Sequence, residues 1–248
     1  MVYVDKDLCV ACGRCALYCP VQAIEMRKTA FIDPIKCVEC GTCIRSDCPV
    51  DALKQPELQP PRLLRKLFSD PLARFEQTEV PGRGTEEMKT NDVTNNFTFG
   101  EVGWSVEMGR PGVSTSFSDV EIVTTTLAKH KVKFIELNPL SMLIDHKTGC
   151  FTEENPWNIS QKSLKSIRTL SAIIECKSSI QKVSEIVEAL KEVSKEIDTV
   201  FSVGIISRWK DGEIEALPLL EKIKDVNVWP NGKHNVGIGR PYLKEERK

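Results

Sequence analysis

The chain has 248 residues, 41% of them apolar and 28% charged, with a formal net charge of −1 at pH 7. That length allows one sizeable domain and a smaller one. Near-neutral charge removes the electrostatic reason to expect a nucleic acid or an anionic membrane surface, and no apolar run reaches the roughly 20 residues that span a bilayer.

Eight of the ten cysteines lie between Cys9 and Cys48. The first run is Cys9, Cys12, Cys15 and Cys19-Pro20; the second is Cys37, Cys40, Cys43 and Cys48-Pro49. No secretory pattern precedes Cys9, so this density points to metal ligation rather than disulfides, in a reducing, cytoplasmic setting. The runs belong to an internal repeat of about 28 residues. Tyr3-Val4-Asp5 is echoed by Phe31-Ile32-Asp33, and Cys19-Pro20-Val21-Gln22-Ala23-Ile24 by Cys48-Pro49-Val50-Asp51-Ala52-Leu53. A unit this short cannot bury a core alone, so two copies must share one.

The spacing C-x2-C-x2-C-x3-C-P resembles that of the two-cluster, bacterial-type (polyferredoxin-like) ferredoxin family, over residues 1–54 only. The resemblance implies two [4Fe-4S] clusters whose fourth ligands cross between the runs. By position, cluster one takes Cys9, Cys12, Cys15 and Cys48; cluster two takes Cys37, Cys40, Cys43 and Cys19. Such clusters are often oxygen-labile, which suggests an anaerobic or strongly reducing cell. Gly13 and Gly41 suit the tight wrapping of such a loop, and Pro20 and Pro49 fix the chain's exit from the last cysteine. The second run departs by one residue, because Asp47 stands where the pattern expects a cysteine. Aspartate can ligate iron, whereas Cys48-Pro49-Val50 keeps the register of the repeat and favours Cys48 beyond a one-residue bulge. Zinc ribbons also use C-x2-C pairs, but have no need of a third cysteine and a closing Cys-Pro, twice.

Residues 1–54 carry seven acids and seven bases. A balanced surface fits a module fixed to its partner better than a shuttle steered by charge. Residues 55–98 follow as a linker or docking arm, rich in Pro, Gly, Asn and Thr. Leu63, Leu64, Leu67 and Phe68, then Leu72 and Phe75, suggest a short helix pair broken at Asp70-Pro71. The irregular stretch from Val80 to Asn96 suits an arm that becomes ordered on a partner.

A second domain is expected over 99–248. Val102, Trp104, Val106 and Met108 alternate with polar residues as a strand. Ser118-x-x-Glu121 reads as a capping box before a helix through Val123, Leu127 and His130. Val132–Leu137 reads as a strand, and Leu140–Thr152 as a hairpin. The unit then recurs: Leu170 to Cys176 as a strand, a helix from about Ser178 through Ile197, a strand Val200–Ser207, and an Asp211-Gly212 turn. The fold class is therefore α+β, an N-terminal two-cluster ferredoxin domain plus a C-terminal ferredoxin-like α/β sandwich built from two βαβ units. A closing hairpin is expected between Val226 and Tyr242.

Arg110, Gly112, Ser114 and Ser116 lie between a strand and a helix and form a possible anion site, with Gly239-Arg240-Pro241 offering a second arginine. Polar turn residues also cap helices, which is the plainer reading. His146 and Cys150 supply too few ligands for a metal, and Cys176 alternates with core residues as a small hydrophobe. No flavin or nicotinamide signature occurs. The sequence thus favours an electron-transfer component, a tethered relay subunit of a larger anaerobic oxidoreductase, over a self-contained enzyme. The alternatives are a redox-sensing regulator that binds a small anion, and an accessory factor that supplies electrons to activate a metalloenzyme. Redox proteins are the expected partners, with no nucleic acid and no membrane span.

Overall fold

Asp5 and Asp33 turn the repeat into structure. Asp5 Oδ1 accepts from the amides of Asp7 and Leu8, and Asp33 Oδ1 from those of Ile35 and Lys36. Each aspartate carbonyl then accepts from the first cysteine of its run, Cys9 at 3.1 Å and Cys37 at 3.0 Å. These turns hold Asp33 below the usual carboxylate range, because the Ile35 amide stabilises its ionised form.

The computed structural model describes residues 1–76, 97–110, 112–136 and 138–229. The irregular stretch 77–96, Leu137, His234, Gly239-Arg240-Pro241 and the expected closing hairpin beyond Trp229 lie outside them. In the N-terminal unit, β1 (Tyr3–Val4) pairs antiparallel with β4 (Leu53–Lys54), and β2 (Ile24–Met26) with β3 (Ala30–Ile32). Each two-stranded sheet takes one strand from each copy of the repeat, so the copies interlock. A short helix, α1 (Arg14–Leu17), follows the first cysteine loop. The apolar interior is small: Val2, Ala23, Ile24, Ala30, Ile32 and Leu53, with Cys15 and Cys37 among them.

The next element is α2 (Arg62–Leu67), six residues within the stretch expected to be an arm. Its surroundings correct that expectation for residues 62–75. Leu64, Leu67 and Phe68 recur at helical spacing, and with Ala73 and Phe75 they join the main core. Phe68 meets Phe75 and Phe117 edge-on, with ring centroids 5.3 and 5.2 Å apart. Residues 72–75 form no second helix.

Eight-residue β5 (Glu101–Met108) begins the larger unit. Two-residue β6 (Thr115–Ser116) leads into α3 (Phe117–Lys129), and short β7 (Lys133–Phe134) follows. After a 3-10 turn at Ser141–Leu143 come α4 (Gln161–Lys165), β8 (Arg168–Thr169) and β9 (Ala172–Ser179). Then come α5 (Val183–Val193), β10 (Phe201–Ser207), the hairpin β11 (Trp209–Lys210) with β12 (Glu213–Ile214), and α6 (Leu217–Leu220). The main sheet runs β10-β5-β9-β7, every neighbour antiparallel. Two β-α-β passages generate it, through α3 and α5, and these helices pack against each other.

Several local details differ from the sequence reading. Val102, Trp104, Val106 and Met108 are fully buried, but Ser105 on the opposite face is too, because β5 is an inner strand covered on both sides. The cap of α3 lies two residues earlier than expected. Ser116 Oγ accepts from the Asp119 amide at 3.1 Å and donates to Asp119 Oδ2 at 2.6 Å. Ser118 instead bonds the Lys165 carbonyl, and Glu121 pairs with Lys165 at 2.7 Å. Phe117 decides this: it is fully buried at the first helical position, stacked on Phe151 at 5.5 Å. Beyond Ser179 the chain makes a 3-10 turn before α5, which ends at Val193, short of Ile197. The Leu140–Thr152 hairpin reduces to a bridge between Ile144 and Phe151. Asp211-Gly212 does turn a hairpin, both residues at positive φ.

Candidate metal centre

The two cysteine loops share one backbone course. Ala11 and Glu39, each just before the second cysteine, have φ of 54° and 58°; Gly13 and Gly41 follow at 77° and 68°. Gln22 and Asp51, three residues after the last cysteines, repeat the pattern at 51° and 48°. These left-handed positions curl each loop around a hollow. The amides of Ala23 and Ala52 donate to Cys19 Sγ and Cys48 Sγ at 3.2 and 3.4 Å.

Two hollows result. One is lined by Cys9, Cys12, Cys15 and Cys48 together with Val10, Met26 and Leu53. The other is lined by Cys19, Cys37, Cys40 and Cys43 with Val21, Ile24 and Ile32. The thiols ring these spaces rather than converging on a point. Among the described residues, no group of three or more His, Cys, Asp or Glu side chains could hold a single metal ion. A four-iron cubane, bound by one thiolate at each iron, suits such a ring, and the donor set is the all-cysteine set it takes.

Asp47 is the extra residue of the second run and sits at φ 61°. Its side chain is 95% exposed, turned away from the hollow that Cys48 lines. Arg14 steadies this bulge, donating to the Asp47 carbonyl at 2.8 Å.

The hollows differ in their surroundings. Around the first, Cys12 is exposed, and so are Leu8, Val10, Leu17 and Tyr18. The second is the inner one. Cys40 and Val38 pack with Leu170, between β8 and β9, and with Val21. Arginines clamp its loop: Arg62 bonds Glu39 and the Pro34 carbonyl, and Arg45 Nη2 donates to the Cys40 carbonyl at 2.7 Å. Arg65 Nη1 reaches the carbonyls of Pro34, Ile35 and Cys37, the last at 2.9 Å. Glu39, between two cysteines, is fully buried and also accepts from the Val2 amide and from Gln55. Burial pushes the Cys37 thiol up to about 11, with the Glu39 charge adding to it, and the Cys43 thiol up to about 12. Cysteine binds iron as thiolate, so iron must supply the driving force for losing those protons.

The clamping side chains beyond residue 54 are not among the sequence candidates, although Arg62 and Arg65, one helical turn apart, were a readable signal. The other candidate residues serve local structure. Ser114 Oγ accepts from Arg168 Nε at 2.8 Å, Ser116 caps α3, and the Asp119 carboxylate occupies that helix start. Arg110 and Gly112 are exposed beside them. His146 contacts the Ser141 carbonyl, Cys150 is exposed, and burial raises the Cys176 thiol.

Comparison with known proteins bears on the N-terminal segment alone. The family described as "4Fe-4S binding domain" matches residues 2–25. A ferredoxin of Rickettsia felis is 43% identical over 63 residues, covering 23% of this chain and 57% of that protein. Pyruvate synthase subunit PorD of Methanothermobacter marburgensis is 42% identical over 52 residues, covering 21% and 60%. The delta subunit of NADH-dependent phenylglyoxylate dehydrogenase from Aromatoleum evansii is 47% identical over 47 residues, covering 18% and 50%. The chain thus spans between half and three-fifths of these relatives, and its N-terminal segment is ferredoxin-like, of the 4Fe-4S type. No solved structure matches the chain. Among the described residues, no helix is long and apolar enough to cross a membrane.

Proposed function

We propose that the chain is an iron–sulfur electron-transfer protein holding two [4Fe-4S] clusters, and that it serves as a relay component of a larger oxidoreductase. One observation carries the reading: two separate hollows, each ringed by four cysteines drawn from both runs. Cys9, Cys12, Cys15 and Cys48 would hold one cluster, and Cys37, Cys40, Cys43 and Cys19 the other. When bound, the clusters supply one-electron transfer. The chain's own part is to fix eight thiolates, to donate amides toward Sγ of Cys19 and Cys48, and to wall the inner hollow from water with Val38, Val21 and Leu170.

The outer hollow is the natural mouth for exchange with a partner. Val10, which lines it, is 61% exposed beside exposed Cys12, and Leu17, 80% exposed at the end of α1, adds apolar surface that a partner protein would cover. Two relatives named as oxidoreductase subunits support a relay role. We further assign the larger unit to the ferredoxin-like α/β sandwich on its strand order and two β-α-β passages, a topology that implies no third cluster. On this division, residues 1–54 are the cluster domain, α2 and its neighbours a bracket, and 99–248 the sandwich.

Anaerobic purification with iron and sulfide analysis tests the proposal. Two clusters require eight irons, and a well-folded chain carrying fewer than about six would overturn it. Co-purification with large subunits is the expected sign of the relay role.

A further inference from the structure

We infer that Arg65 raises the reduction potential of the inner cluster, a charge brought to the cysteine loop by a helix outside the ferredoxin-like segment. The inference rests on the two-cluster reading above. Three guanidinium groups surround the inner loop, and two of them are neutralised. Arg62 forms an ion pair with buried Glu39, and Arg45 one with Asp70 at 3.1 Å. Arg65 has no carboxylate partner among the described residues: its Nη1 is spent on three carbonyls, including that of Cys37. Its Nε is buried and has no hydrogen-bond partner among the described residues. Arg65 is therefore the net positive charge beside the loop that carries Cys37, Cys40 and Cys43.

Among the described residues, the outer hollow has no equivalent. Its nearest arginine, Arg14, is half exposed and lies 3.6 Å from the Asp47 carboxylate, where solvent screens it. Reduction transfers one electron from a donor to a cluster and makes that cluster more negative by one unit. A fixed, half-buried cation favours the reduced form and moves the potential upward, while exclusion of water moves it downward. Arg65 thus opposes the effect of burying the inner loop under Leu170 and α2.

The test is a reductive titration of the full chain, purified anaerobically, with each cluster followed by electron paramagnetic resonance. Arg65→Met should move one of the two midpoints to more negative potential and leave the other in place, with iron and sulfide unchanged. Arg65→Lys, which keeps the charge but not the three-carbonyl fork, should stay near the parent. Stationary midpoints in a fully loaded Arg65→Met protein would overturn the inference, and so would equal shifts in the Lys and Met variants. If Arg65→Met loses iron, Arg65→Gln, which retains a donor for the Cys37 carbonyl, carries the same expectation; loss of iron there too would make Arg65 a structural clamp and overturn the tuning role. A parent with only one cluster's iron would instead sink the two-cluster reading.

Discussion

Asp47 and Cys48 are adjacent, and both types of side chain can bind iron, yet backbone geometry separates them. A left-handed residue at 47 sends the carboxylate to solvent and returns the next side chain to the hollow. Aspartate tolerates that conformation better than most residues, so it fits an inserted bulge. Cys48→Ala should therefore remove about half of the iron, one cluster of two. Asp47→Ala should leave the iron count intact and lower stability by roughly 1 kcal/mol or less, as strain at a positive φ. Iron analysis beside urea unfolding checks both; iron loss in Asp47→Ala would make the aspartate a ligand. The two sets of four cysteines that line the hollows were legible in the sequence because the runs recur at a regular spacing. The buried carboxylate between two of them was not, since Glu39 acquires its partner only when residue 62 arrives from a different element.

At the scale of the element, α2 is a bracket with two working faces. Leu64, Leu67 and Phe68 enter the main core, while Arg62 and Arg65 grip the inner loop. The leucines let the sequence suggest a short helix here, but six residues in a Pro-rich stretch do not show what that helix packs against, which is why it was placed in an arm. The same limit displaced the cap of α3. Ser116-x-x-Asp119 and Ser118-x-x-Glu121 both satisfy the capping pattern, and only the burial of Phe117 selects the first. Longer elements such as β5, β9 and α5 were legible because their apolar faces recur often enough to be seen. Removing the cation of the bracket should be costly. Arg62→Met leaves Glu39 buried with only neutral donors, and should destabilise the chain by about 3 kcal/mol. Adding Glu39→Gln should recover most of that loss. Denaturant midpoints of the single and double variants measure it, and additive losses would mean that the pair is not the cause.

At the scale of the whole molecule, the repeat is nearly twofold but its environment is not. One loop faces solvent, while the other is sealed by α2 and by the turn at Leu170, whose amide is fixed by Ser69 Oγ at 2.9 Å. Nothing in the first 54 residues announces this asymmetry, because α2 and Leu170, which cover the inner loop, come from later in the chain. The seal is a small apolar contact of Leu170 with Val21, Val38 and Cys40. A charge placed there would lose most of its hydration among these apolar neighbours, and burying it would cost several kcal/mol. Leu170→Lys should therefore open the contact while leaving the main core, to which Leu170 does not belong, folded. In the parent, the inner cluster should outlast the outer one under a chelator or limited oxygen, so iron release should proceed in two phases of similar size. In Leu170→Lys the slow phase should accelerate toward the fast one, with the fast phase unchanged. Two equally fast phases already in the parent would show that the larger unit gives the inner loop no protection, and that the two halves of the repeat remain equivalent despite their different surroundings.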